Sequence, residues 1–172
     1  RASAIRRNSC SGPPPRNARA LAPLPTTMTI STIEPQPMTG ESGKPGRNCP
    51  RCPRLKAFRD QWRRQEPTWL NGPVPSFGPP TARLLIVGLA PGLQGANRTG
   101  RPFTGDYAGA LLYDTMARYG FARGKYEAHP EDGLELLDAR ITNAVRCVPP
   151  QNKPTGAEIA TCRAFLKPTI AE

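Results

Sequence analysis

The segment that decides the fold is Leu84-Leu85-Ile86-Val87-Gly88-Leu89-Ala90-Pro91-Gly92, followed by Gly95-Ala96-Asn97-Arg98-Thr99-Gly100-Arg101-Pro102-Phe103-Thr104-Gly105-Asp106. Four apolar residues in a row predict a strand that is covered on both faces. The small residues that follow allow the backbone to approach a ligand closely. Because ligand sites in α/β folds lie beyond the carboxyl ends of strands, this glycine-rich loop is the first candidate site.

The rest of the chain alternates helical and extended patterns. We predict strands over residues 83–89 and 138–145, and helices over 53–65 and 107–119. The second helix is expected to pack through Ala108, Leu111, Leu112, Thr115 and Tyr119, and to end at Gly120. Thr155-Gly156-Ala157-Glu158 has the pattern of a capping box that opens a last helix. This order predicts an α/β fold with a parallel sheet. Residues 67–80 are expected to form a surface connection.

Residues 1–46 have a different composition. They contain no aromatic residue and are rich in Pro, Ser, Thr, Arg and Ala. Such a segment buries too little apolar surface to offset the entropy of ordering, so we predict a disordered arm. Two alternatives are a transit peptide, for which a convincing amphipathic period is missing, and upstream sequence that is not normally translated, with Met28 or Met38 as the start.

The charge favours an anionic partner. The formal net charge is +11, with a pI near 10.1, and neutralisation of phosphates drives association with nucleic acids. A group of basic residues follows the first cysteines on the predicted helix, where the alternative is a solvated face: Arg51, Arg54, Lys56, Arg59 and Arg63. No apolar run approaches the ~20 residues of a membrane span. We therefore expect a soluble, cytoplasmic monomer.

Four cysteines outside the arm form a candidate metal site. Cys49 and Cys52 are a C-x-x-C pair, whereas Cys147 and Cys162 lie far downstream. A redox dithiol would open a helix directly after a strand, and structural zinc would favour a second compact knuckle. An iron–sulfur cluster uses four thiolates and tolerates wide spacing. The residues alone leave these three interpretations open.

Taken together, the motifs resemble the uracil-DNA glycosylase superfamily. Residues 88–92 and 101–106 are similar to its first motif, residues 142–147 to its second, and the four cysteines to its iron–sulfur set. The run 95–101 and the apolar pair Leu89-Ala90 are most similar to family 5. The resemblance covers residues 48–172. It implies a three-layer sandwich with a central parallel β-sheet and a [4Fe-4S] cluster, with zinc as the alternative.

The resemblance also implies an activity. The expected reaction is hydrolysis of the N-glycosidic bond of uracil in DNA, after the base is flipped out of the duplex. The apolar Leu89-Ala90 pair suggests that hypoxanthine and xanthine are also accepted. The expected base pocket consists of Gly88, Ala90, Pro91, Gly92, Phe103 and Asn143. Phe103 would stack on the base, and the amide of Asn143 would pair with its edge. The alternatives are a core phenylalanine and a turn-forming asparagine.

A polar residue must assist the attacking water. Ala90 occupies the position where most relatives with a polar first motif carry that group. The catalytic candidates are therefore Asn97 and Asp106, together with Asn143 in the pocket. Asp106 can also act as the N-cap of the helix that begins at Tyr107.

Arg98 and Arg101 are expected to contact DNA phosphates, with pairing to Asp106 as the alternative. The superfamily's third motif has no counterpart, and His129 is expected to be a surface residue. We therefore expect the N-terminal portion of a longer enzyme, truncated at the C-terminus and with little activity. The competing hypothesis is a non-enzymatic module that binds zinc and nucleic acid.

Overall fold

The structure is a computed structural model that describes residues 43–171. Most of the predicted arm, residues 1–42, lies outside the described residues. The order of elements is α1 (Pro53–Gln65), β1 (Leu84–Gly88), α2 (Ala96–Thr99), α3 (Tyr107–Arg118), β2 (Ala122–Arg123), β3 (Glu135–Leu136), β4 (Ala139–Asn143), a 3₁₀ turn (Pro150–Asn152) and α4 (Gly156–Ala171). Among these residues no helix is long and apolar enough to cross a membrane.

The predicted parallel pairing is present. β1 and β4 lie side by side in parallel, in a register that pairs Leu84 with Ala139 and Gly88 with Asn143. The predicted α/β class is therefore confirmed, and the glycine-rich loop and Asn143 meet at the same end of the two strands. A short antiparallel pair, β2 with β3, was not predicted.

β1 is less buried than its apolar run predicts. Val87 is 43% exposed, and Leu89, just after the strand, is 57% exposed. The reason is that β1 has one strand neighbour, β4, among residues 43–171. The prediction of a strand covered on both faces is wrong for this part of the chain.

β4 is buried along its whole length. One edge pairs with β1, and the segment 74–77 lies along the other edge. Phe77 and Ile141 exchange two backbone hydrogen bonds of 2.8 Å, and the Val74 amide donates to the Arg146 carbonyl over 2.7 Å. The connection over residues 67–80 is thus part of the packed domain, and its prediction as a surface loop is wrong.

α3 packs through a different face from the one predicted. Its buried residues are Gly109, Tyr113 and Met116, whereas Leu111 is 71% exposed and Tyr119 is 69% exposed. Gly109 permits this orientation because a β-carbon there would collide with the Phe103 carbonyl. The predicted helix end is confirmed, since Gly120 has a φ of +79° directly after the C-cap.

Two apolar clusters hold the domain together. The first joins α3 to the strands through Tyr113, Met116, Leu134, Leu136 and Ile141. The second joins α1 and α4 to the segment after β4 through Leu55, Val145, Cys162 and Phe165. The predicted capping box of α4 is confirmed, because the Thr155 amide donates to Glu158 and the Glu158 amide donates to the Thr155 hydroxyl.

Candidate functional site

The candidate pocket is centred on Gly88, the last residue of β1. A β-carbon at this position would lie 2.5 Å from Asn143 Oδ1 and 2.9 Å from Phe103 Cζ. The amide of Asn143 and the ring of Phe103 therefore both contact the Gly88 backbone, and only glycine leaves room for them. Three predicted pocket residues are brought together at the ends of β1 and β4.

Phe103 occupies an unusual backbone conformation. Its φ is +52°, in the left-handed region that residues with a β-carbon rarely adopt. The ring is partly buried against the first apolar cluster. The ring therefore makes a core contact and also keeps a partly accessible face, so both interpretations, a core residue and a stacking residue, remain compatible with its position. Such strain persists only where the surrounding structure imposes it.

Asp106 caps α3 and also faces the glycine-rich loop. Its Oδ1 accepts a hydrogen bond of 3.1 Å from the Gly109 amide, which confirms the N-cap. The other oxygen, Oδ2, lies 2.8 Å from the β-carbon position of Gly95 and 3.7 Å from that of Gly92. One oxygen thus serves the helix, while the other is directed at the predicted site.

Asn97 is fully buried in α2. Its Nδ2 donates to Asn71 Oδ1 over 2.9 Å, and Asn71 Nδ2 in turn donates to the carbonyls of Trp62 and Glu66 at the end of α1. Asn97 therefore anchors the loop to α1. Its Oδ1 is buried and has no hydrogen-bond partner in the described part of the chain.

The two loop arginines have different environments. Arg98 is exposed, and its Nη2 lies 2.9 Å from the β-carbon position of Gly105. Arg101 is only 4% exposed, and its two terminal nitrogens donate to Asp132 over 2.7 and 2.6 Å. The structure corrects the prediction for Arg101. A guanidinium that is buried and paired with a carboxylate does not reach a DNA phosphate, and its partner is Asp132 rather than Asp106.

The first-motif backbone is tied to its neighbours. The carbonyls of Gly88 and Leu89 accept from the amides of Ala144 and Val145, over 2.8 and 3.0 Å. Pro91 is fully buried. Ala90 packs against the second apolar cluster, which contains Cys162. The segment 88–91 therefore lies between the candidate pocket and the cysteines.

The four predicted cysteine ligands line one cavity. Cys49 and Cys52 precede α1, Cys147 follows β4, and Cys162 lies within α4. The remaining lining combines apolar residues with three arginines, and includes Leu55, Val145, Phe165, Arg51, Arg59 and Arg146. Among residues 43–171, no group of three or more His, Cys, Asp or Glu side chains is placed to hold a metal ion.

Two N–H donors face the cysteine sulfurs. Arg59 Nη1 donates to Cys147 Sγ over 3.6 Å, and the Arg146 amide donates to Cys162 Sγ over 3.4 Å. Such donors favour thiolates over thiols. Four thiolates are the donor set of both a structural zinc site and an iron–sulfur cluster.

Burial dominates the titration of the free thiols. It raises the pKa of Cys147 to about 11 and also raises the pKa values of Cys52 and Cys162. These side chains are therefore protonated at neutral pH when no metal is bound. Metal binding would release the protons, so metal affinity should increase with pH.

The basic residues of α1 are largely engaged within the domain. Arg54 pairs with Glu158, with its Nη2 and Oε2 2.7 Å apart. Arg59 is 2% exposed, and Arg63 donates to the carbonyls of Asn71 and Arg47. Because of these contacts, the basic residues of α1 do not form a fully solvated face. Nor are all of these arginines free to bind DNA.

Several residues of the site were not anticipated. Asp132, Tyr126 and Asn71 support the loop, yet the sequence shows them only as loop residues. Asn71 lies in the stretch predicted as a surface connection, although it is fully buried. His129 matches its prediction, with a side chain that is 51% exposed.

The sequence was compared with protein-family models and with curated proteins. The family model of the uracil DNA glycosylase superfamily matches residues 75–172. The Type-5 uracil-DNA glycosylase of Thermus thermophilus is 50% identical over 125 residues, which cover 69% of this chain and 56% of the relative.

More distant relatives match a similar length of the chain. The Type-5 uracil-DNA glycosylase of Pyrobaculum aerophilum is 40% identical over 124 residues, covering 70% of this chain and 55% of the relative. The Type-4 uracil-DNA glycosylase of the same organism is 34% identical over 121 residues, covering 70% and 48%. The chain spans about half the length of the curated relatives it matches. Because the family model covers more than half of the sequence, the chain belongs to the uracil-DNA glycosylase superfamily.

Proposed function

We propose that this protein is a DNA repair glycosylase that hydrolyses the N-glycosidic bond of uracil in DNA. The observation that carries the proposal is the convergence of the Phe103 ring and the Asn143 amide on Gly88. This arrangement lies at the ends of two parallel strands, where α/β folds place their ligands. The names of the relatives support the same activity.

The proposed pocket must recover the cost of extruding a base. Loss of stacking and pairing costs a few kcal/mol. The Phe103 ring supplies a stacking face, and stacking on an aromatic residue contributes about 1–3 kcal/mol. Asn143, which is 3% exposed, supplies one donor and one acceptor to a pyrimidine edge. Together they recognise the face and the edge of uracil.

Cleavage then requires stabilisation of separated charges. The sugar becomes positive and the departing base becomes negative. Asp106 Oδ2, which lies beside Gly92 and Gly95, is the carboxylate oxygen that would stabilise the sugar or orient the water. Asn97 is fully buried and bonded to Asn71, so its role in orienting a water stays a prediction. The amide groups of residues 90–92 are the candidate donors to the departing base.

We further propose that Cys49, Cys52, Cys147 and Cys162 hold a [4Fe-4S] cluster. When bound, the cluster would supply a rigid cross-link. It would join the start of α1 and the segment after β4 to α4, next to the first motif. The four thiols that line one cavity, with N–H donors on two of them, support the proposal of a thiolate-bound metal group.

The remaining expectations concern DNA contacts, substrate range, oligomeric state and location. Exposed Arg98 is proposed to contact a DNA phosphate. Acceptance of hypoxanthine and xanthine, a monomeric state and a cytoplasmic location stay predictions.

The proposal is tested with the full chain that the gene encodes, using a DNA duplex with a single uracil. Phe103→Ala and Asn143→Ala should lower the single-turnover rate of uracil release by ~10- to 1000-fold at saturating DNA, corresponding to about 1–4 kcal/mol. Arg98→Ala should instead weaken binding to all duplexes and reduce the salt slope by about one. Unchanged rates in both pocket variants, with loss in Arg98→Ala at unchanged affinity, would overturn the pocket assignment.

The colour, metal content and base release of the purified protein distinguish the glycosylase proposal from the competing hypothesis of a non-enzymatic module. A non-enzymatic module would be colourless, contain zinc and release no base from any uracil duplex. A glycosylase with a cluster would be brown, contain iron and release free uracil.

A further inference from the structure

Arg101 and Asp132 form a buried ion pair outside the proposed base pocket. Their side chains are 4% and 0% exposed. Arg101 donates from both terminal nitrogens to the two oxygens of Asp132. Asp132 also accepts from the backbone amides of Glu127 and Leu134, each over 3.0 Å. The carboxylate is thereby fixed in a loop that lies 31 residues from Arg101 in sequence.

Three aromatic rings surround the guanidinium. Its central carbon lies 5.2 Å from the ring centre of Phe77, 5.4 Å from that of Tyr113 and 5.7 Å from that of Tyr126. All three distances fall within the range of cation–π contacts. Arg101 is therefore held in a single orientation by rings from three separate segments.

The same groups also bond to the backbone on either side of Phe103. Tyr113 donates to the Pro102 carbonyl over 2.6 Å, and Tyr126 donates to the Phe103 carbonyl over 3.3 Å. Tyr126 also accepts from the Gly105 amide over 3.1 Å. Arg101 itself donates from Nε to the Thr104 hydroxyl over 2.7 Å. Every residue from 102 to 105 is thus bonded to Arg101 or to a tyrosine that packs on it.

A buried ion pair of this kind adds little net stability, because desolvation offsets the attraction between the charges. Here the pair fixes a geometry instead. Phe103 has a φ of +52°, which the chain adopts only when neighbouring contacts impose it. The contacts that hold it are the turn bond from the Thr104 amide to the Arg101 carbonyl and the bond from the Thr99 hydroxyl to the Thr104 carbonyl, together with those of the pair and the two tyrosines.

We propose that Arg101, paired with Asp132, is a positioning residue that holds Phe103 in the conformation needed to stack on an extruded base. The proposal rests on the proposed function for its catalytic consequence. Its structural part is independent of that function, because it concerns the order of the loop 101–106.

Hydrogen exchange measures this order directly. In Arg101→Lys and in Asp132→Asn, peptides that cover residues 102–106 should exchange at least ~10-fold faster than in the wild type, while peptides from β4 should not change. The matched controls are Arg123→Lys and Glu135→Gln, because Arg123 and Glu135 form an exposed ion pair. Unchanged exchange over residues 102–106 would overturn the proposal.

A neutral pair distinguishes positioning from simple folding stability. In Arg101→Met/Asp132→Asn no unpaired buried charge remains, and the new amide can still accept from the Leu134 backbone. The melting temperature should recover relative to Asp132→Asn alone, but the fast exchange and a slow rate of uracil release should persist. Recovery of both the loop order and the rate would show that Arg101 only fills space, and the proposal would fail.

A double-mutant cycle tests the route through Phe103. If Arg101 acts by placing that ring, adding Arg101→Lys to Phe103→Ala should slow uracil release no further. Losses that multiply would show that Arg101 acts independently of the ring. If the wild type releases no uracil while the exchange results hold, the glycosylase proposal fails and the loop-ordering role of Arg101 stands.

Discussion

Gly88 and Asn143 face each other across the end of the parallel strand pair, with the Asn143 amide oxygen 2.5 Å from the point where a β-carbon of residue 88 would lie. Real β-carbons do not approach an oxygen so closely. The two residues are therefore matched, since any side chain at position 88 displaces the amide that we assign to base recognition.

We predict that Gly88→Ala lowers the single-turnover rate of uracil release by ~5- to 150-fold. The added methyl group would push on both Asn143 and Phe103, and overpacking of this kind costs about 1–3 kcal/mol. Base release and affinity for an intact duplex should be measured together, because only the former should change strongly.

Gly156→Ala is the matched control, because a β-carbon at residue 156 meets no atom within 4 Å. Gly88→Ala with wild-type release would show that the pocket is not built around that glycine.

The two functions of Asp106 can be separated. Asp106→Asn keeps a good N-cap but removes the charge, whereas Asp106→Ala removes both and should cost a further ~1 kcal/mol of stability. We expect the asparagine variant to retain its melting temperature and to release uracil about 10- to 100-fold more slowly.

Asp114→Asn, on the exposed side of α3, controls for the loss of one negative charge. If Asp106→Asn releases uracil as fast as Asp114→Asn, the carboxylate serves the helix alone.

Arg59 is predicted to stabilise the proposed cluster. Its buried guanidinium donates to Cys147 Sγ and to the Cys49 carbonyl, and a positive group offsets the negative charge of bound thiolates. Arg59→Met should lose iron to a chelator ~10- to 100-fold faster than the wild type, as followed by visible absorbance.

Arg64→Met is the control, because Arg64 is an exposed residue of the same helix. Equal rates of iron loss in the two variants would show that the buried guanidinium contributes nothing to retention.

Stability should depend on pH through Asp132. Hydrogen bonding to Arg101 holds the pKa of Asp132 well below its usual value of about 4. A lowered pKa in the folded state means that the pair contributes fully above about pH 4 and loses its contribution as the pH falls further.

The measurement is the melting temperature of the wild type minus that of Arg101→Met/Asp132→Asn. This difference should be constant from about pH 5 to 8 and should change in favour of the variant below about pH 4. A difference that is independent of pH would contradict the assignment.

The sequence predicted what local patterns determine. The helix over residues 53–65 was placed correctly because Pro53 fits the first turn and Glu66 ends the pattern. The caps at Asp106 and Thr155 were likewise visible, since a cap depends on residues three positions apart. The first motif and Asn143 were placed at one edge because parallel strands end together.

Contacts between distant segments could not be predicted in the same way. The Arg101–Asp132 pair joins two loops, and neither loop carries a periodic pattern. The prediction of the packed face of α3 was wrong because Gly109 was not recognised as a contact residue. Its small size is what lets the helix approach Phe103. The burial of Asn71 depends on Asn97, which lies 26 residues away.

The register between β1 and β4 has a kinetic consequence. Pairing Leu84 with Ala139 closes a loop that contains α2, α3, β2 and β3, so it costs more closure entropy than a hairpin does. Contacts between such distant residues form slowly, because the entropy of loop closure is lost before any pairing is gained. We therefore expect the base pocket, which depends on this pairing, to be among the last parts of the domain to form.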